Sequence, residues 1–263
     1  MKKLFPYGLD APGVVRNMAV VSLLLWLVYG LSFVDSMPLR INGMEWPAAF
    51  MTFGTLAMIW SSFRKVPERE KLLGKLVWRG DEHVLDIGCG RGLLAIGAAH
   101  RLPEGQVTGI DIWQTSDLSG NSPQAAQDNA LKEGVSDRVS FRTADMRELP
   151  FAGASMDIVI SALAIHNIAK ADQRKRALLE IIRVLKPGGR LLVCEASKPP
   201  VDVLRRGHAL YLRALPAIGR VASSNPESYR YLAESIGAWA DQQTLSQWIR
   251  GAGFTRVAHR DRT

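Results

Sequence analysis

Cysteine is scarce. There are two in 263 residues, Cys89 and Cys194, each in an apolar, strand-like stretch. Two isolated cysteines exclude a disulfide framework and fit a reducing, cytosol-facing domain. The five histidines lie scattered without ligand spacing, so no metal site is expected. A zinc-finger pattern, a long Lys/Arg run, an internal repeat and a low-complexity segment are also missing. Despite a formal charge of +8, this argues against nucleic acid as the partner. The basic residues are dispersed and densest at Arg205, Arg206, Arg213 and Arg220, a density that suits a solvated surface or the anionic face of a membrane. The length allows one catalytic domain with a small appendage, not two large domains.

The first 65 residues differ from the rest. Met18 to Val34 and Pro47 to Phe63 are two runs of 17 residues without a charge. A bilayer-spanning helix takes about 20 apolar residues, with a lower limit near 17. Phe33, Trp46, Trp60 and Phe63 stand near the ends of the runs, as interfacial aromatics do. Lys2, Lys3 and Arg16 precede the first run. Arg64, Lys65, Arg69, Lys71 and Lys75 follow the second, and the loop between them holds one basic residue, Arg40. That bias predicts a two-pass hairpin with both ends, and the catalytic domain, on the cytoplasmic side of the membrane. The competing expectation is an interfacial hairpin or a pair of helices covering the substrate pocket. A cleaved signal peptide is not expected, because the second apolar run would remain and no A-x-A-like site follows the first.

From about residue 66 the pattern alternates. Strands are expected at His83–Ile87, Gln106–Ile110, Val139–Arg142, Met156–Ser161 and Arg190–Glu195, with a sixth at Arg256–His259. Helices are expected at Pro67–Trp78, Leu93–Arg101, Pro123–Glu133 and Asp172–Leu185. Lys186-Pro187-Gly188-Gly189 stops the last of these and turns the chain into the next strand. Strands separated by such helices imply right-handed crossovers and a parallel sheet: an α/β, Rossmann-like fold with helices on both faces. Residues 198–240 read as a helical lid inserted before the final helix.

The sharpest motif is Val84-Leu85-Asp86-Ile87-Gly88-Cys89-Gly90-Arg91-Gly92. Alternating glycines after a strand let the backbone turn tightly and come close to a ligand. The spacing is G-x-G-x-G rather than the G-x-G-x-x-G of dinucleotide sites. Asp86 precedes the glycines, where a carboxylate suits the ammonium and sulfonium of S-adenosylmethionine better than a pyrophosphate. Asp111 ends the second strand and is placed to accept from ribose hydroxyls, and Asp145 follows the third near an adenine amino group. Gly88, Cys89, Gly90 and Gly92, with Ile112 and Met146 beside the acids, complete the expected cofactor-binding set.

At this point the chain resembles a known class. LDIGCGRG, GIDIW, ADMRELPF and RVLKPGGRLLV resemble the motifs of class I S-adenosylmethionine-dependent methyltransferases over roughly residues 67–195. Ser161 to Pro199, Asn225 to Ile236 and Ala252-Gly253-Phe254 are similar to the ubiquinone/menaquinone biosynthesis C-methyltransferases. The resemblance implies C-methylation of a quinone precursor or other aromatic lipid, a lipophilic acceptor that lives in the membrane. The chain departs from that family where its RN pair reads His166-Asn167. The apolar hairpin replaces the usual N-terminal segment, and no LTGGI-like final strand precedes Thr263. His166 is the candidate base, beside a structural alternative, and Asn167 the candidate orienting residue. Tyr229, Arg230 and Tyr231 are candidates either for the acceptor pocket or for helix packing. Two other functions stay open: methylation of a small soluble acceptor with the hairpin as a tether, and a non-catalytic methyltransferase-like membrane subunit. The oligomeric state is left open by the sequence.

Overall fold

The computed structural model describes residues 7–9, 12–33, 43–114, 120–199, 201–222 and 226–259. Lys2, Lys3, Val34, Arg40, Pro200 and Asn225 lie outside them. Two long helices come first, α1 (Pro12–Leu31) and α2 (Glu45–Phe63), and α3 (Lys65–Leu73) follows directly. Then strands and helices alternate: β1 (His83–Ile87), α4 (Leu93–Ala99), β2 (Gln106–Asp111), α5 (Pro123–Lys132), β3 (Val139–Thr143), β4 (Met156–Ala162), a 3-10 turn at Ile165–Asn167, α6 (Ala171–Val184) and β5 (Leu185–Cys194). The helices α7 (Asp202–Ala222), α8 (Pro226–Gly237) and α9 (Gln242–Gly251) complete the described chain.

The sheet is fully parallel, in the order β3-β2-β1-β4-β5. Its direction of build reverses between β1 and β4, and ligands bind at the carboxyl edge of such a switch point. Two apolar cores flank it because alternate strand residues face opposite ways. Val84 packs on one side with Ile96 and Ala99 of α4, while Leu85 and Ile87 pack on the other with Leu178 and Ile181 of α6. In α6 the apolar face is Ala177, Leu178, Ile181 and Val184, a helical spacing buried along its length.

Three expectations need correction. Residues 256–259 form no strand, so the described sheet has five strands. No neighbouring strand offers them a ladder. Lys186-Pro187-Gly188-Gly189 lies inside β5 rather than ahead of it. The register passes from Met156↔Leu185 to Ile158↔Arg190, so the four residues form an irregularity, with Gly188 at φ +78°. α3 stops at Leu73, where Gly74 caps it, short of the expected Trp78.

α1 and α2 pack against each other. Thr52 Oγ1 accepts from Trp26 Nε1 at 2.9 Å, stands 2.6 Å from Ser22 Oγ and donates to the Ala48 carbonyl at 2.8 Å. Among the described residues only α1 is long and apolar enough to cross a membrane, with a mean hydropathy of 1.8 over its best window. α2 has 19 residues and begins with Glu45, so a two-helix transmembrane hairpin remains a proposal. Arg69, expected as a flanking charge, instead turns into the domain. Its guanidinium is buried, paired with Glu133 at 3.0 Å and bonded to Tyr7 Oη at 3.0 Å. Burial and the Glu133 carboxylate hold the Tyr7 phenol above its ordinary range.

Candidate active site

The loop after β1 is held in a conformation that favours glycine. Gly88, Gly90 and Gly92 have φ of +69°, +51° and +82°. Gly88 N–H and Cys89 N–H donate to the Ile110 carbonyl at 2.8 and 3.0 Å, and Gly90 N–H donates to Asp111 Oδ2 at 2.9 Å. The same carboxylate accepts from Trp113 N–H at 2.7 Å and Asn121 Nδ2 at 3.3 Å. Asp111 therefore ties the glycine loop to the chain after β2. Cys89 is buried, and burial pushes its thiol well up.

Asp86 is fully enclosed behind this loop. It accepts from Ala95 N–H of α4 at 2.9 Å. Burial pushes its carboxyl up to about 7, against the stabilising amide. Between pH ~4 and ~7 the folded chain thus keeps a proton that the unfolded chain has released, so stability falls as pH rises through that window. Asp86→Asn is expected to remove a slope of at most one proton, about 1.4 kcal/mol per pH unit. Thermal melts of wild type and variant at several pH values between 5 and 8 check this. Parallel curves would refute it.

A cavity of about 350 Å³ opens at the carboxyl edge of β1, β2 and β4, within the usual range for small-molecule sites. Of the expected cofactor residues, Gly88, Asp111, Ile112, Asp145 and Met146 line it. Asp86, Cys89, Gly90 and Gly92 stand behind it or in its supporting loop. Asp145 is paired with Arg147, whose guanidinium holds that carboxyl below its ordinary range and also bonds Gln173 Oε1 at 2.7 Å.

The far wall comes from the turn after β4 and from α8. Asn167 and Tyr231 line the cavity, and Tyr231 Oη donates to the Asn167 carbonyl at 3.0 Å. Tyr229 packs instead against Gly219 of α7, and Arg230 is exposed and paired with Glu227. His166 lies behind Asn167, its side chain 5 % exposed, with Nδ1 2.6 Å from Glu195 Oε2. The other oxygen of Glu195 accepts from Ala164 N–H and Ile165 N–H at 3.0 and 2.8 Å. Sequence reasoning missed Glu195. Yet it stands directly after β5, the same post-strand position that drew attention to Asp145, and that signal was available. Asn121, Arg147 and Gln173 were also missed: Asn121 and Gln173 sit on a connecting segment and on α6 without a motif, and Arg147 lies in the ADMRELPF motif, two residues after Asp145.

The residues present fit S-adenosylmethionine. Asn121 Oδ1 is buried in the cavity wall with no hydrogen-bond partner among the described residues, an acceptor suited to an ammonium or hydroxyl donor. Ile87, Ile110, Ile112 and Met146 supply apolar walls for a base, beside the carboxylates of Asp111 and Asp145. A Cβ at Gly88 would stand 2.3 Å from Ala164 Cβ, so the close approach of the loop to the opposite wall needs glycine.

Comparison with known proteins shows the family. The sequence pattern described as the ubiE/COQ5 methyltransferase family matches residues 54–263. The chain is 38% identical over 187 residues to the ubiquinone/menaquinone biosynthesis C-methyltransferase UbiE of Pseudomonas paraeruginosa, covering 70% of each chain. It is 48% identical over 128 residues to the demethylmenaquinone methyltransferase of Clavibacter sepedonicus, covering 48% of this chain and 51% of that one. The match thus spans about half the length of the latter relative. Among solved structures, a SAM dependent methyltransferase from Aquifex aeolicus superposes with a TM-score of 0.50 at 18% identity, covering 73% of this chain and 82% of that one, a likeness of fold.

Proposed function

Starting from a chain that belongs to the ubiE/COQ5 methyltransferase family, and whose cofactor is therefore S-adenosyl-L-methionine, we propose that it methylates a ring carbon of a lipophilic quinone precursor. We further propose that α1 and α2 anchor residues 66–263, with the α7–α8 lid, to the cytoplasmic face of a membrane. The observation that carries the reading is one cavity, with Asp111 and Asp145 on one wall and Asn167 and Tyr231 on the other. This arrangement supports a cofactor pocket facing an acceptor wall.

The bound cofactor supplies the electrophilic methyl group. The chain's own residues hold and align. Asp111 and Asp145 accept from the cofactor's donors, and the glycine loop lets the backbone come close. The acceptor ring must become electron-rich at the attacking carbon, which requires loss of a phenolic proton. His166 is the proposed base. One oxygen of Glu195 accepts from two backbone amides and the other accepts from Nδ1–H of His166, which leaves Nε2 as the acceptor. For the imidazole to reach the acceptor, α8, which packs on the 3-10 turn through Tyr231, must shift with the lid. Fifteen large apolar side chains exposed on α1, on α2 and at Phe33 just past α1 support the membrane reading.

The test uses the full chain in lipid discs, with labelled methyl donor and a demethylated hydroquinone carrying either a long prenyl tail or none. Incorporation into a ring carbon of the long-tailed acceptor, favoured by about tenfold or more, is expected from burial of the tail. Equal rates would move the reading to a soluble acceptor with the hairpin as a tether. Failure to bind the cofactor would move it to the non-catalytic subunit.

A further inference from the structure

The helix α7 carries two stripes that the proposed chemistry does not use. Leu204, Tyr211 and Ile218 recur every seven residues, beside Val203 and Leu210, and all five are exposed. Arg206, Arg213 and Arg220 recur at the same interval, are also exposed, and have no ion-pair partner among the described residues. Seven residues are nearly two full helical turns, so each set runs along one line of the helix. The sector adjoining the Leu204–Tyr211–Ile218 line is taken up within the molecule, where Leu215 is buried and Gly219 meets Tyr229 of α8, so that Val203, Leu210 and the three arginines point outward.

Nearby acids are already engaged. Asp202, the one acidic residue of α7, pairs with Arg205 at 3.1 Å, and Glu227 and Glu234 of α8 flank Arg230. α7 also touches α1, the helix fit to cross a bilayer, so its apolar stripe continues the exposed apolar surface of the hairpin.

We propose that α7 is an anionic-lipid-binding helix. It lies in the membrane interface with Val203 and Leu210 turned to the acyl boundary, Leu204, Tyr211 and Ile218 on one flank of them, and Arg206, Arg213 and Arg220 on the other flank, on the lipid phosphates. An amphipathic helix with a basic flank binds in this manner, and arginine reaches headgroups while its stem stays apolar. The three unpaired cations select an anionic bilayer over a zwitterionic one. This inference rests on the membrane reading of α1 and α2. It adds that the lid itself is a lipid-sensing surface.

Hydrogen exchange of the full chain in lipid discs separates the two. Discs of phosphatidylcholine alone are compared with discs containing phosphatidylglycerol. Amides of α7 are expected to exchange about tenfold more slowly in the anionic discs. The gain is expected to vanish in Arg206→Gln/Arg213→Gln/Arg220→Gln and at high salt. Slow exchange of α1 in both discs reports the anchor independently. If α1 is protected and α7 is indifferent to lipid charge, the α7 proposal falls while the anchor stands. If α1 exchanges freely, the anchor reading falls, and the charge dependence of α7 still decides this one. Protection of α7 that grows with protein concentration without lipid would assign the face to a second copy and overturn it.

Discussion

Glu195→Gln is expected to slow methyl transfer by about a hundredfold, within the ~10²–10⁴ that a positioned base contributes. The variant keeps much of the local structure. The amide oxygen of glutamine still accepts from Ala164 N–H and Ile165 N–H, as Glu195 does at 3.0 and 2.8 Å. The change falls on the other arm. A glutamine –NH₂ donates to Nδ1 of His166, where the carboxylate accepts. That reverses the tautomer, puts the ring proton on Nε2 and removes the lone pair assigned to the acceptor. Cofactor affinity is expected to stay within about twofold, since neither His166 nor Glu195 lines the cavity. Raising the pH is not expected to restore the rate, because deprotonation does not repair a wrong tautomer. Steady-state rates between pH 6 and 9, alongside a thermal melt, check this. A variant with an unchanged rate and a lowered melting temperature would make the pair a structural tie and remove His166 from the mechanism.

The pieces of this site differ in how far the sequence exposes them. Strands such as Ile158–Ile160, and Val84–Ile87 apart from Asp86, are runs of branched apolar residues between helices, so the parallel core was legible from period and spacing alone. The glycine turn and the acids were legible because they stand at the carboxyl ends of β1, β2 and β3, where open sheets bind ligands. What stayed hidden depends on three-dimensional pairing. Tyr229 and Tyr231 are two residues apart on a helix and about 200° apart around its axis, so one can face the cavity while the other faces α7. The shared stretch around them contains no mark of which. Arg69 read as a membrane-flanking charge because its partner Glu133 lies 64 residues away. The break in β5 follows from Gly188 at positive φ inside a strand, a position that a helix-stop reading of Lys-Pro-Gly-Gly places one element too early.

Gly88→Ala is expected to weaken cofactor binding by about a thousandfold, the sum of a positive-φ cost of ~1–3 kcal/mol and an overpacking cost of ~1–3 kcal/mol. The geometry is unforgiving for two separate reasons. At φ +69° any Cβ is strained, and here it would lie 2.3 Å from the Cβ of Ala164. Neither partner can yield freely. The Gly88 amide is bound to the Ile110 carbonyl at 2.8 Å, and the Ala164 amide to Glu195 at 3.0 Å. The added methyl therefore pushes the turn that carries His166 away from the loop that carries the cofactor. The variant should lose affinity and rate together, unlike Glu195→Gln, which loses rate alone. Gly88→Ala combined with Ala164→Gly relieves the overlap but not the backbone strain, and is expected to recover about half of the lost binding free energy. Calorimetric titration of the cofactor into the three proteins decides the matter. No recovery in the double variant would mean that the strained turn alone sets the loss, and that the two walls are not coupled through this contact.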